Sequence, residues 1–216
     1  MMKMRERNVH PLSVRERTEN GIESFDIFSR LLKDRIIYID QEVDSHMSSV
    51  IVAEMLYLSN QSEEDIKLYI NSPGGSVVDG LAIYDTCRTI RCDVQTIGLG
   101  LCASMGAFLL SGGTKGKRFA TPSARIMIHM VSGGTSGTIR DMEIRLKNAQ
   151  FLNDYLADRL AIHCNKSKKV IEEAIDRDNW MTPEEAIKFG LIDKIFPFHD
   201  KTKSETKIET KSKPKK

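Results

Sequence analysis

Short apolar runs alternate with amphipathic stretches along most of the chain, and the alternation predicts strands interleaved with helices. Ser24 reads as the cap of a first helix with Phe25, Phe28, Leu31 and Leu32 at helical spacing. Arg35 to Asp40 reads as a strand, and Asp44 caps a helix that sets Met47, Val50, Ile51, Met55 and Leu58 on one side. The pattern continues as a strand at 66–71, a helix at about 77–90, a strand at 94–101 and a helix at 104–111. Strands at about 117–121 and 125–130 come next. A long helix at about 138–164 places Ile139, Met142, Leu146, Ala149, Leu156 and Leu160 three and four residues apart, with Phe151, Leu152 and Tyr155 widening the stripe. A shorter helix at about 169–175 leads to Thr182-Pro183-Glu184-Glu185, a capping box with proline at the first helical position. Gly190 stops that helix, and 194–196 is a last short strand. This order predicts an α/β fold of βαβ units with right-handed crossovers.

The ends fall outside the pattern. Residues 1–23 are polar and charged, with only Pro11 and Gly21 as punctuation, and offer no face to bury. Residues 200–216 carry seven lysines against Asp200, Glu205 and Glu209 and have no apolar periodicity, so a disordered, solvated tail is expected. That tail holds a balance of +4, so the net charge of +2 leaves residues 1–199 at about −2. One domain is expected over 24–199, and a chain of 216 residues buries roughly 70–75% of its unfolded surface without cross-links. Cys87, Cys92, Cys102 and Cys164 show no metal-binding or redox spacing and read as reduced, mostly buried thiols. No apolar run near the start has the length of an export signal, and the run at 97–110 is too short and glycine-rich to span a bilayer. The expected location is cytoplasmic, with neither nucleic acid nor membrane as partner.

Three stretches carry candidate chemistry. In GLGLCASMGAFLL, residues 98–110, a buried strand breaks at Ala103-Ser104-Met105-Gly106 and resumes as a helix, which puts Ser104 on a strand-to-helix turn suited to a nucleophile. A serine that merely caps the helix is the plainer alternative. Asn71-Ser72-Pro73-Gly74-Gly75-Ser76 follows a β-rich run, and its paired glycines let backbone amides point outward. RIMIHM, residues 125–130, delivers His129 to a strand end. Hydroxyl, amide loop and imidazole are the nucleophile, oxyanion donors and base that acyl transfer needs. A carboxylate to orient the imidazole has three candidates, Asp176, Asp178 and Asp193, which sequence alone leaves open. His10, His46, His163 and His199 read as surface residues.

Taken in order, YINSPGG, ASMGAFLL, GKRF, MIH and EEAIKFGLID resemble the ClpP family, the proteolytic subunits of the Clp protease, from about Ser24 to Ile195. The resemblance implies a ClpP/crotonase-like spiral of βαβ units, with the long helix protruding as a handle against a second ring. It implies a serine endopeptidase with Ser104 as nucleophile, His129 as base and acid, and Asp178 as the orienting carboxylate. Gly75 and Met105 would supply the oxyanion amides. Val77, Ser132 and Gly133 would hold substrate as an added strand, and Asp176 and Arg177 would link ring contact to alignment of the site. Heptameric rings stacked as a tetradecamer, flexible N-terminal loops at the pore, and an AAA+ ATPase such as ClpX, ClpA or ClpC complete the expectation. ATP would be used by that partner, leaving this chain without cofactor or metal.

Two departures stand out. Met130-Val131 replaces the Gln-Pro usual after the histidine, which frees a backbone amide and is expected to loosen the turn. At the docking face Tyr69, Ile97, Leu99 and Phe196 are apolar, but Lys67, Thr89 and Thr121 stand where bulky apolar residues are common. These suggest one of two paralogous ClpP subunits, active mainly in a mixed assembly. A catalytically silent structural subunit and a crotonase-type acyl-CoA enzyme are the remaining readings.

Overall fold

The computed structural model describes residues 13–18 and 21–197. The tail 200–216, His10 and His199 lie outside them. The first element differs from expectation: β1 (Ser13–Thr18) and β2 (Gly21–Asp26) form an antiparallel ribbon where no element was predicted, and β2 crosses the expected boundary at residue 24. Both strands are largely polar and exposed, so no buried face marks them in the sequence. The Asn20-Gly21 pair, with Gly21 at φ 120°, is the local signal for such a hairpin. Because β2 runs on to residue 26, the cap of α1 (Ile27–Lys33) is Asp26 and not Ser24. Asp26 Oδ1 accepts from the amides of Phe28 and Ser29, and Arg30 and Lys33 of α1 pair back to Glu16 and Glu23 of the ribbon.

The rest follows the alternation. In order come β3 (Ile36–Ile39), α2 (Ser45–Gln61), β4 (Ile66–Ser72), α3 (Val77–Thr89), β5 (Val94–Ala103), α4 (Met105–Ser111), β6 (Arg118–Ala120) and β7 (Arg125–Ile128). Then come α5 (Ile139–Cys164), α6 (Lys168–Ile175), β8 (Asn179–Met181), α7 (Pro183–Phe189) and β9 (Lys194–Ile195), making seven helices among the described residues. The expected box closes α7 at both ends: Thr182 and Glu185 exchange side-chain and backbone bonds, and Gly190 sits at φ 102°. The main sheet is parallel in the order β3-β4-β5-β6-β9, its alternate residues buried against α2, α3 and α4. The architecture is α/β, and among the described residues no helix is long and apolar enough to cross a membrane.

The site depends on how β5 changes partner. Its first half pairs with β6 through Thr96, Ile97 and Gly98, and its last three residues pair with β7 through Leu101↔Arg125, Cys102↔Ile126 and Ala103↔Met127. Gly100, at φ 51°, marks the switch, and Asn71 Oδ1 accepts the Leu101 amide beside it. The short strand β8, which the sequence pattern does not show, lies antiparallel to β7 with Met127↔Trp180 and Ile128↔Asn179. Three segments far apart in sequence therefore end side by side.

A buried ion pair pins the opposite side of the core. Arg118, of the GKRF motif, is 1% exposed and grips Asp193 through Nε (2.9 Å) and Nη2 (2.7 Å), while its Nη1 reaches the carbonyls of Ser111 and His163. Burial alone would raise the Asp193 carboxyl, but bonding to Arg118 outweighs it and holds the group below its usual range. His163 is another departure, since it is half-buried rather than a surface residue. Its ring nitrogens meet Tyr84 Oη and Ser111 Oγ, each at 2.9 Å. Burial first, then the neighbouring charges of Arg118, Arg88, Arg159 and Lys115, push its pKa down to about 3. Cys92, Cys102 and Cys164 are buried, and burial raises the Cys87 and Cys102 thiols to about 12.

Candidate active site

Ser104 occupies the one-residue gap between β5 and α4, at φ 54° and ψ −122°. Such a conformation in a non-glycine residue costs on the order of 1–3 kcal/mol and persists only where its surroundings enforce it. Here the Ser104 amide donates to the Met127 carbonyl (2.8 Å), and its own carbonyl accepts the Phe108 amide (3.0 Å). A capping serine would sit in extended backbone and bond its hydroxyl to the first turn. Ser104 does neither, so its hydroxyl is left for another partner.

That partner is His129. The register that sets Ala103 beside Met127 brings residue 104 abreast of the end of β7, and Ser104 Oγ lies 2.9 Å from His129 Nε2. On the other flank the antiparallel pair Ile128↔Asn179 carries forward to His129 and Asp178, whose Oδ1 is 3.2 Å from His129 Nδ1. In the tautomer with the proton on Nδ1, that nitrogen donates to the carboxylate and Nε2 accepts from the serine hydroxyl. Of the three carboxylate candidates, Asp193 is engaged by Arg118, and Asp176 is exposed with a loose contact to Arg177 at 3.9 Å. Asp178 is itself 61% exposed, while His129 is 21% exposed.

The Gly-Gly loop closes against this turn. Gly74 and Gly75 have φ values of 100° and 144°, and a Cβ on Gly74 would stand 2.6 Å from Ser104 Cβ and 2.9 Å from the Met105 nitrogen. The Val43 backbone blocks a side chain at Gly75 in the same way, since the two residues are bridged. The loop is fixed from below by Ser72 Oγ, which donates to the Gln41 carbonyl (2.6 Å) and accepts the Gly74 amide (3.1 Å). Among the described residues the amides of Gly75 and Met105 take part in no hydrogen bond, and both residues line one cleft with Ser104 and His129. Two unengaged amides beside a hydroxyl that faces an imidazole can receive a developing oxyanion.

The cleft brings together most of the residues singled out from sequence. Gly75, Val77, Ser104, Met105, His129 and Ser132 line it, whereas Gly133 is exposed outside the lining and Asp176 and Arg177 lie exposed before Asp178. Sequence reasoning missed Asn153, which lines the cleft from α5 beside Leu156 and Leu160, as a polar interruption of an apolar stripe. It also misjudged Val131: the amide freed by the lack of proline is not loose but donates to Asn153 Oδ1 at 3.0 Å. Of the residues expected at a docking face, Lys67 and Thr89 are exposed, Tyr69, Leu99, Phe196 and Thr121 are half-buried, and Ile97 is wholly in the core. A family model described as Clp protease matches residues 18–198, and on that match the chain belongs to the Clp protease family as a ClpP-type peptidase.

Proposed function

We propose that this chain is a serine endopeptidase in which Ser104 attacks the peptide carbonyl, His129 moves the proton and Asp178 holds the imidazole. The observation that carries the reading is the 2.9 Å approach of Ser104 Oγ to His129 Nε2, at a strained turn beside two unengaged amides. As Oγ bonds to the carbonyl carbon its proton passes to Nε2, and the amides of Gly75 and Met105 receive the oxyanion. Each such donor is typically worth about 3–4 kcal/mol in the transition state. Collapse breaks the C–N bond, with Nε2 returning the proton to the leaving amine. Water, activated by the same imidazole, then hydrolyses the ester. No metal or cofactor enters these steps.

Substrate lies as an extended strand along Val77, Ser132 and Gly133, so recognition is of backbone and specificity is broad. The family works as ring oligomers with ATPase partners, and the specific form proposed here is two stacked heptameric rings enclosing the sites. An AAA+ unfoldase such as ClpX, ClpA or ClpC would feed unfolded polypeptide into the chamber, in the cytoplasm, using ATP that this chain does not bind. The projecting half of α5 serves as the handle between rings, and Asp176 and Arg177 lie where ring contact could reach Asp178. The exposed Lys67 and Thr89 on the docking face favour a subunit that works beside a second ClpP paralogue.

The test is hydrolysis of a fluorogenic peptide and of unfolded casein by the assembled particle. Ser104→Ala is expected to lower turnover by roughly a millionfold with assembly intact. Unchanged hydrolysis in that variant would overturn the assignment.

A further inference from the structure

The loop after His129 is held at two successive amides. Met130 N–H donates to the Ile175 carbonyl at the end of α6 (2.7 Å), three residues before Asp178. Val131 N–H donates to Asn153 Oδ1 on α5 (3.0 Å). Beyond that, no backbone hydrogen bond among the described residues restrains 131–135. Asn153 is half-buried on a helix face otherwise carrying Leu156 and Leu160 into the cleft, where an amide side chain is costly without a partner. The Val131 amide is its hydrogen-bond partner, and the bond joins a 26-residue helix to the residue two beyond the imidazole.

We propose that Asn153 is a positioning residue for His129, fixing the backbone on the C-terminal side of the imidazole as the β7 ladder fixes the N-terminal side. This rests on the reading of Ser104 and His129 as the reacting pair. His129 lies just past the end of β7, and among the described residues its only side-chain ties are Ser104 and the exposed Asp178. With the Asn153 tie removed, the peptide units after 130 are free to turn, and the imidazole drifts from the 2.9 Å approach on which proton transfer depends. Because Asn153 sits on α5, displacement of that helix is transmitted to the imidazole through one hydrogen bond.

The experiment measures the rate at which a fluorophosphonate labels Ser104 in the assembled particle, for the wild type, Asn153→Ala, Asn153→Asp, Val131→Pro and the Asn153→Ala/Val131→Pro pair. Asn153→Ala is expected to slow labelling about five- to tenfold, the loss of one ordinary hydrogen bond. Asn153→Asp, which keeps the acceptor, is expected to restore most of the rate. In Val131→Pro, which has no N–H to hold, adding Asn153→Ala should cost nothing more. Equal rates in wild type and Asn153→Ala, or the same loss with and without the Val131 amide, would overturn the proposal. If Val131→Pro does not assemble, the aspartate and alanine variants decide, and matching rates between them overturn it. A wild type unlabelled at Ser104 would instead bring down the reading of the reacting pair, and this inference with it.

Discussion

The two halves of α5 are one continuous helix in opposite surroundings. Toward its C-terminal end Ala157, Leu160 and Cys164 are at most 6% exposed, packed into the core cluster beside the cleft. Toward its N-terminal end Ile139, Ile144, Leu146 and Phe151 are between 56% and 72% exposed. These four form two pairs one heptad apart, 139 with 146 and 144 with 151, on different sides of the helix. Apolar side chains on several sides of an exposed helix half bury little within the domain, and such surface suits contact with another molecule. The difference teaches that length and amphipathicity alone do not assign a helix its role: the embedded half lines the cleft, and the exposed half is the surface proposed above for assembly.

The sharpest way to break this comparison is to charge the arm. If the rings stack as proposed, Ile144→Asp with Leu146→Asp should split them into species of half the mass. Each lost apolar burial is worth about 2 kcal/mol and recurs round the ring. The melting of separated subunits should stay within about 0.5 kcal/mol. Light scattering and calorimetry read the two quantities, and a large fall in subunit stability would mean the arm packs on its own domain. Leu160→Ala reverses the pattern, costing about 2–5 kcal/mol of subunit stability while leaving the arm's surface intact.

The smallest effect concerns pH and belongs to the embedded half alone. His163 is neutral in the fold, with its pKa pushed down to about 3, and titrates near 6.5 when unfolded. Between those values the unfolded chain binds the extra proton, so stability rises with pH and is lost as pH falls from about 6.5 toward 3. By pH 5 the loss should reach about 2 kcal/mol. Denaturant titrations at pH 7 and pH 5 should show a shallower pH slope for His163→Gln than for the wild type. Identical slopes would mean that His163 is not the group that titrates.

The fold and two of the three interacting site residues were legible because their signals are local. The small-residue break at Ala103-Ser104-Met105-Gly106 marks the turn, and a short apolar run ends at His129. Asp178 was legible only through resemblance, since its position depends on β8, a three-residue strand whose partner is about fifty residues away. Asn153 was illegible for a related reason: a polar residue in an apolar stripe acquires meaning only when the amide it meets is known. The N-terminal ribbon escaped because its strands bury almost nothing, leaving Asn20-Gly21 as the sole cue. The Ser24 cap failed because β2 continues through it to Asp26, a reminder that adjacent cap formers are decided by where the preceding strand ends.

The account turns on whether the Ser104 hydroxyl is activated where it sits. Mass mapping of the assembled wild-type particle after exposure to a fluorophosphonate reads this directly. One adduct per subunit, located on Ser104 and absent from Ser104→Ala, is the predicted result. An intact particle with no adduct, or with one that persists in Ser104→Ala, would contradict it.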